Sequence, residues 1–283
     1  MSSPKTILAC IDGSKSSTSV CDYAAWISRS IDTPVQLLHT CNNEQPAASN
    51  LSGSIGLGAR ESLLMELANL EQQRAKLILE NGKQMLAEAQ QRCRQLGINA
   101  TILQRHGGLA ETLVDLEDST RVLVLGLRGE AHQDSEAGIG HKLESALRTL
   151  HRPMLVVNQD FVEPKNVMLA FDGSSGAEKA LEMVCASPLF KDSCCHVIFV
   201  GSGADGEEHL RRAHAQLTEA GHQVKSALLQ GKLDEAIGHY QAEYDIDMTV
   251  MGAFSHSRIR DILLGSLTSK VLHNTAIPLL LLR

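Results

Sequence analysis

The stretch Val167-Met168-Leu169-Ala170-Phe171-Asp172-Gly173-Ser174 restates Ile7-Leu8-Ala9-Cys10-Ile11-Asp12-Gly13-Ser14 at an offset of 160 (172 − 12). In both places an apolar run of strand composition ends in Asp-Gly-Ser and leads into a segment with helix-type spacing. Two more matches follow in the same order. Val122-Leu123-Val124-Leu125-Gly126 corresponds to Met248-Thr249-Val250-Met251-Gly252, an offset of 126. Arg152-Pro153-Met154-Leu155-Val156-Val157 corresponds to Ile277-Pro278-Leu279-Leu280-Leu281-Leu282, an offset of 125. Repeats in a fixed order mark a duplicated unit. The tandem copies span 1–158 and 165–283, with Gln159-Asp160-Phe161-Val162-Glu163-Pro164 as the seam. The offset falls by 34 (160 − 126), so the first copy carries that many extra residues between its landmarks.

The 283 residues suit about two domains. A chain 43% hydrophobic and 21% charged has material for buried cores, which excludes a disordered or collagen-like protein. A net charge of -7 argues against nucleic acid and acidic membrane surfaces as partners. At 3% aromatic content the chain also lacks base-stacking platforms. Its longest apolar runs fall far short of the roughly 20 residues that cross a bilayer. Met1-Ser2-Ser3-Pro4-Lys5 lacks the pattern of a secretion signal, so a cytoplasmic location is expected. The seven cysteines, without a C-x-x-C, read as reduced thiols, most of them within apolar strand and helix patterns.

Within a copy, near-continuous apolar strands alternate with helical stretches. In the second copy the strands fall at about 166–171, 195–200, 223–229, 247–251 and 278–282. Helices are expected at 175–186, 207–220, 232–243 and 266–273. This alternation implies a parallel sheet covered on both faces. Ligands of such sheets sit beyond the carboxyl ends of the strands, where strand order reverses. The extra residues of copy one fall in an inserted loop and long helix, about 43–96: a Ser/Gly/Asn-rich loop (42–58) and a long helical stretch over 61–96. Leu63, Leu64, Leu67, Leu70, Leu77, Leu79 and Leu86 can form an apolar stripe there. That helix reads either as a lengthened packing element or as a surface for a protein partner.

The chemistry concentrates after strand four of copy two. Gly252 ends the strand, a loop containing Ser255, His256, Arg258 and Arg260 follows, and Gly265-Ser266 opens a helix. A helix N-terminus presents unpaired N–H groups and the positive end of the macrodipole, so it attracts phosphate. Glycine lets the backbone approach an anion. The same Gly-Ser pair also serves a plain capped turn, and residue types alone leave both readings open. Asp172, at the end of strand one, can accept hydrogen bonds from ribose hydroxyls or close an Asx turn.

Both copies resemble the universal stress protein family, and the whole chain resembles a tandem member. The resemblance rests on the strand-one Asp and on the pattern G-x2-G-x9-G-[ST] of the nucleotide-binding branch. Gly252, Gly265 and Ser266 fit that pattern at its spacing, Ser255 replaces its second glycine, and Asp172 matches the strand-one Asp. The resemblance implies two five-stranded parallel-sheet α/β domains of Rossmann-like, adenine-nucleotide α-hydrolase-like form. It further implies that their final strands pair about a two-fold axis, which a tandem chain satisfies internally as a pseudo-dimer; association of two such chains into a homodimer is left open by the sequence. The implied ligand is an adenine nucleotide, ATP or ADP or AMP, with Mg²⁺ as a companion ion. Val200, at the end of strand two, falls on the adenine side.

The first copy departs from the pattern. It keeps Asp12, Gly126 and Gly129, but ten residues rather than nine separate Gly129 from Gly140, and His141 replaces the hydroxyl residue. Glu130, Asp134 and Glu136 in that loop oppose a triphosphate. The nucleotide is therefore expected mainly in copy two. Gly201-Ser202-Gly203-Ala204-Asp205-Gly206 is formally G-x-G-x-x-G, but it follows strand two and reads as a loop. No nucleophile–base pair, metal-ligand spacing or P-loop occurs, and His39 reads as a satisfied histidine. A non-enzymatic adenine-nucleotide-binding role in stress response or signalling is the leading expectation. A nucleotide-independent interaction scaffold and a weak ATP hydrolase are the alternatives.

Overall fold

The structure is a computed structural model that describes residues 5–41, 57–127, 141–252, 271–272 and 275–283. Five strands form the first half: β1 (Thr6–Cys10), β2 (Val35–Cys41), β3 (Thr101–His106), β4 (Thr120–Gly126) and β5 (Met154–Val157). Five more form the second: β6 (Asn166–Ala170), β7 (Cys194–Val200), β8 (Gln223–Leu229), β9 (Met248–Gly252) and β10 (Leu279–Leu282). All ten join one sheet in the order β3-β2-β1-β4-β5-β10-β9-β6-β7-β8. The second half mirrors the first, as a duplicated unit does about a two-fold axis. Every pair is parallel except β5 with β10, where Leu155 faces Leu280 in antiparallel register. This seam is the intramolecular pseudo-dimer contact. It covers what would be two open strand edges.

Alternation along the strands divides two cores. Ile7 and Ala9 enter one cluster and Leu8 the other, because successive side chains leave opposite faces of a sheet. The first cluster is covered by α1 (Ser16–Ile31), α2 (Leu57–Gln95), α5 (Ser175–Ala186) and α6 (Ala204–Glu219). The second lies under α3 (Leu109–Leu116), α4 (His141–Thr149), α7 (Leu233–Glu243) and the helical pair Val271-Leu272. Both cores cross the seam: Leu155, Val157, Leu280 and Leu282 belong to one, and Met154, Val156, Leu279 and Leu281 to the other. The seam segment also docks onto α1. Phe161 packs edge-on against Tyr23 at 4.8 Å, and the Tyr23 hydroxyl donates to the Val162 carbonyl at 3.3 Å.

The long helix packs over only part of its length. At 39 residues α2 runs about 58 Å at 1.5 Å per residue. The seven-residue β2 beneath it spans only about 23 Å. Its C-terminal half supplies Met85, Leu86, Ala89 and Cys93 to the core at helical spacing. Leu64, Met65, Leu67, Leu70 and Leu77 instead face solvent, so the apolar stripe does not pack along its length. The preceding loop, 42–56, lies outside the described residues.

Candidate functional site

The two Asp-Gly-Ser turns have the same local build. Gly13 and Gly173 lie at φ +78° and +73°, a region open to glycine without strain. Asp172 Oδ1 accepts from the Ser174 backbone N–H at 3.0 Å, which closes an Asx turn. Ser174 Oγ then accepts from Ala177 N at 3.3 Å and caps α5. In the first half Asp12 Oδ1 accepts from Ser14 N at 3.1 Å and from Ser17 Oγ at 3.3 Å. Each turn lies under a side chain from the second helix of its half: a Cβ on Gly13 would meet Met85 Cε of α2 at 2.6 Å, and one on Gly173 would meet the His209 ring of α6.

In the second half, β6 pairs with β7 on one side and β9 on the other. This is the reversal of strand order at which open α/β sheets hold ligands. Gly252 ends β9, Val200 ends β7, and Asp172 lies two residues past β6. The three line a single cleft with Phe171, Ile198 and Leu233. The first turn of α5 follows Asp172 on the same edge, with Gly176 and Ala177 buried and the Ala177 N–H capped by Ser174. A Cβ on Gly252 would sit 2.5 Å from the Gly176 carbonyl carbon and 2.7 Å from Ala177 N. The first turn of α5 therefore presses directly on the end of β9, and packing alone demands glycine at 252.

The structure thus brings together Asp172, Val200 and Gly252. Ser255, His256, Arg258, Gly265 and Ser266 lie outside the described residues, as do Gly129 and Gly140. In the first half Asp12 and Gly126 stand at the same sheet edge, past β1 and at the end of the adjacent β4. Sequence reasoning missed the apolar wall of the cleft. Leu233 had a usable signal, as the first apolar residue of the helix after strand three. The covering of Gly173 by His209 had none.

His39 is satisfied, with Nδ1 2.7 Å from the Ile11 carbonyl oxygen. None of the seven cysteines is in a disulfide. In the G-x-G-x-x-G look-alike, Gly203 (φ +115°) precedes α6. Gly206 lies inside that helix rather than in a loop, where a Cβ would meet Phe199 Cδ1 at 2.8 Å. Among the described residues no cluster of three or more His, Cys, Asp or Glu side chains could hold a metal ion. None of the described helices is long and apolar enough to cross a membrane.

The profile of the Universal stress protein family matches residues 4–158 and 200–283. Residues 159–199, which include Asp172, lie between the matched segments. A universal stress protein from Synechocystis sp. is 36% identical over 286 residues, covering 99% of this chain and all of its own length. Among solved structures, a universal stress protein from Archaeoglobus fulgidus superposes with a TM-score of 0.75 at 19% identity, covering 98% of each chain. A Pseudomonas aeruginosa PAO1 protein of unknown function superposes with a TM-score of 0.62 at 13% identity, covering 99% of this chain and 93% of its own. The mirrored pair of five-stranded halves is the fold that these two structures share with it. With its duplicated halves and these matches along nearly its whole length, the chain belongs to the universal stress protein family.

Proposed function

We propose that this universal stress protein is a non-enzymatic receptor for an adenine nucleotide, ATP or ADP or AMP, acting in stress response or signalling. The site lies mainly in the second half. The observation that carries the reading is the convergence of Asp172, Val200 and Gly252 on one cleft at the strand-order reversal. Asp172 would accept from the ribose, Val200 would border the base, and the Gly252 backbone would lie under the sugar–phosphate. Gly265 and Ser266 would offer N–H and hydroxyl donors to the phosphates, with His256 and Arg258 adding positive charge and Ser255 narrowing the approach. Mg²⁺, where present, would ride on the phosphates. Asp12, Gly126, Gly129 and Gly140 form the altered counterpart in the first half.

Calorimetry with ATP, ADP and AMP tests this on the intact chain, on Gly265→Val with Ser266→Ala, and on Asp172→Asn. The last substitution keeps the oxygen that closes the Asx turn. Heat from the intact chain that both variants lose supports the reading. Absence of heat at millimolar nucleotide ends it. Phosphate release under the same conditions should be flat; turnover abolished by Asp172→Asn would instead establish the weak hydrolase.

A second reading has its own observation. The exposed Leu64, Met65, Leu67 and Leu70 of α2 suit a nucleotide-independent interaction scaffold. Sedimentation of the intact chain against Leu67→Glu with Leu70→Glu tests it through self-association. Particles of one size in both proteins, with or without ATP, would remove it.

A further inference from the structure

A second cleft straddles the pseudo-two-fold axis at the middle of the sheet, on the face covered by α1 and α5. Its volume is about 240 Å³. Trp26 and Ile31 of α1 form one wall, and Met183 of α5 with Leu189 of the following turn forms the other. Leu155 and Leu280, the facing pair of the seam, form the floor. Each half thus contributes one wall and one floor strand, and neither half alone encloses the space.

The cleft is apolar with one charged residue, Arg121, at the start of β4. The Arg121 Nη1 donates to Thr33 Oγ1 at 2.7 Å and to the Ile31 carbonyl at 3.4 Å. Both acceptors are neutral, and Arg121 makes none of the ion pairs among the described residues. The duplication breaks its symmetry here. The residue matching Arg121 at the offset of 126 is Asp247, whose Oδ2 accepts from the Lys165 and Asn166 backbone N–H groups at 2.9 Å each. Asp247 does not line the cleft. The space therefore has a cationic end and a mainly apolar interior, with Ser187 the other polar side chain of its lining.

An apolar cleft favours guests with apolar surface, because burying that surface removes it from water. A guanidinium with donors to spare selects a planar carboxylate, which it can hold by two parallel hydrogen bonds. The volume lies below the roughly 300–1,000 Å³ of sites for drug-sized ligands. We propose that this inter-domain cleft is a binding site for a small amphiphilic monocarboxylate, a medium-chain fatty acid in class, with its carboxylate on Arg121 and its chain between Trp26 and Leu280. The site is separate from the nucleotide cleft and does not depend on it.

Trp26 is the chain's one tryptophan and lines the cleft, so its emission reports occupancy directly. The full-length protein is titrated with decanoate, decan-1-ol and decylamine, and with a bromine-labelled decanoate as a contact quencher. Saturable quenching by the brominated acid is expected, with decanoate bound about tenfold tighter than decanol, the scale of one charge-assisted contact. Arg121→Gln should erase that preference and Arg121→Lys should restore part of it. Ala186→Phe, at a lining position, should block all three ligands while the thermal transition is retained. Equal affinity for acid and alcohol, unchanged discrimination in Arg121→Gln, or Trp26 emission indifferent to every ligand would each overturn the proposal. So would sedimentation showing this face covered by a second copy in the free protein.

Discussion

Arg92 holds Asp22 with two parallel hydrogen bonds, Nε to Oδ1 at 2.7 Å and Nη2 to Oδ2 at 2.9 Å. This pair fastens α2 to α1, beside the contact between the buried thiols Cys21 and Cys93. Asp22 is buried and Arg92 is half-exposed. The carboxylate raises the guanidinium above its already high ordinary value. Arg92→Leu would leave a buried carboxylate without its cation and should cost about 2 kcal/mol. Urea unfolding measures this. The double variant with Asp22→Asn should lose less than the sum of the two single losses, because it leaves no orphaned charge. Stability equal to that of the unaltered protein would mean that solvent already screens the pair.

The two ends of α2 should respond to substitution in opposite ways. Leu86 is fully buried in the core under the sheet, and Leu86→Ala should cost about 2–4 kcal/mol. Leu70 is exposed, and Leu70→Lys should stay within about 0.5 kcal/mol. Paired denaturation curves decide it. A large loss at position 70 would show that an apolar surface covers that end of the helix in solution.

The contrast on α2 also shows where sequence reading runs out. Leu70 and Leu86 carry the same local signal, apolar residues at helical spacing, yet only the sheet's length decides which is covered. Strand pattern, by contrast, is a local property. Ile7, Leu8 and Ala9 announce a strand buried on both faces, and the matched Asp12 and Asp172 announce a duplicated switch point. The pairing of β5 with β10 followed only from the family resemblance, since nothing in Leu155 or Leu280 names its partner. At the site, Asp172 and Gly252 were legible through spacing. Gly252 reads from sequence as room for a ligand, whereas its contact with Gly176 shows a helix–strand approach that demands glycine in any case. The His209 cover over Gly173 joins residues 36 apart (209 − 173), and no periodicity encodes such a contact.

That cover makes a separable prediction. Gly173→Ala meets two obstacles: a positive φ and the His209 ring against the new methyl. Together they should cost about 1–3 kcal/mol. Adding His209→Ala removes the steric obstacle and leaves the backbone one, so about half the loss should return. A double-mutant cycle in urea measures the coupling. No recovery in the double variant would assign the whole effect to backbone conformation.

His196 sets the acid limb of stability. Its side chain is fully buried on β7, Nδ1 lies 3.0 Å from the Tyr240 hydroxyl, and Nε2 has no hydrogen-bond partner. Tyr240 and Tyr244 face the ring, and Lys225 lies opposite on β8. Burial, with a smaller push from Lys225, holds the imidazole below its ordinary value of 6.5. An unfolded chain takes up a proton here as pH falls through about 6.5, whereas the native chain resists until lower pH. In that window the unfolded state binds more protons, so stability falls as acid is added. His196→Phe cannot protonate and should flatten the limb in urea unfolding measured between about pH 7.5 and 5. The alkaline limb follows the same linkage. Burial pushes Tyr240 from 10.0 to about 12, so the unfolded chain gives up this proton first and stability declines across that interval. Tyr240→Phe should lessen that decline while leaving the acid limb in place, because His196 stays buried; burial also pushes the Cys195 thiol from 9.0 to about 12, and that part of the decline stays. An acid limb unchanged in His196→Phe would move the titration to another group.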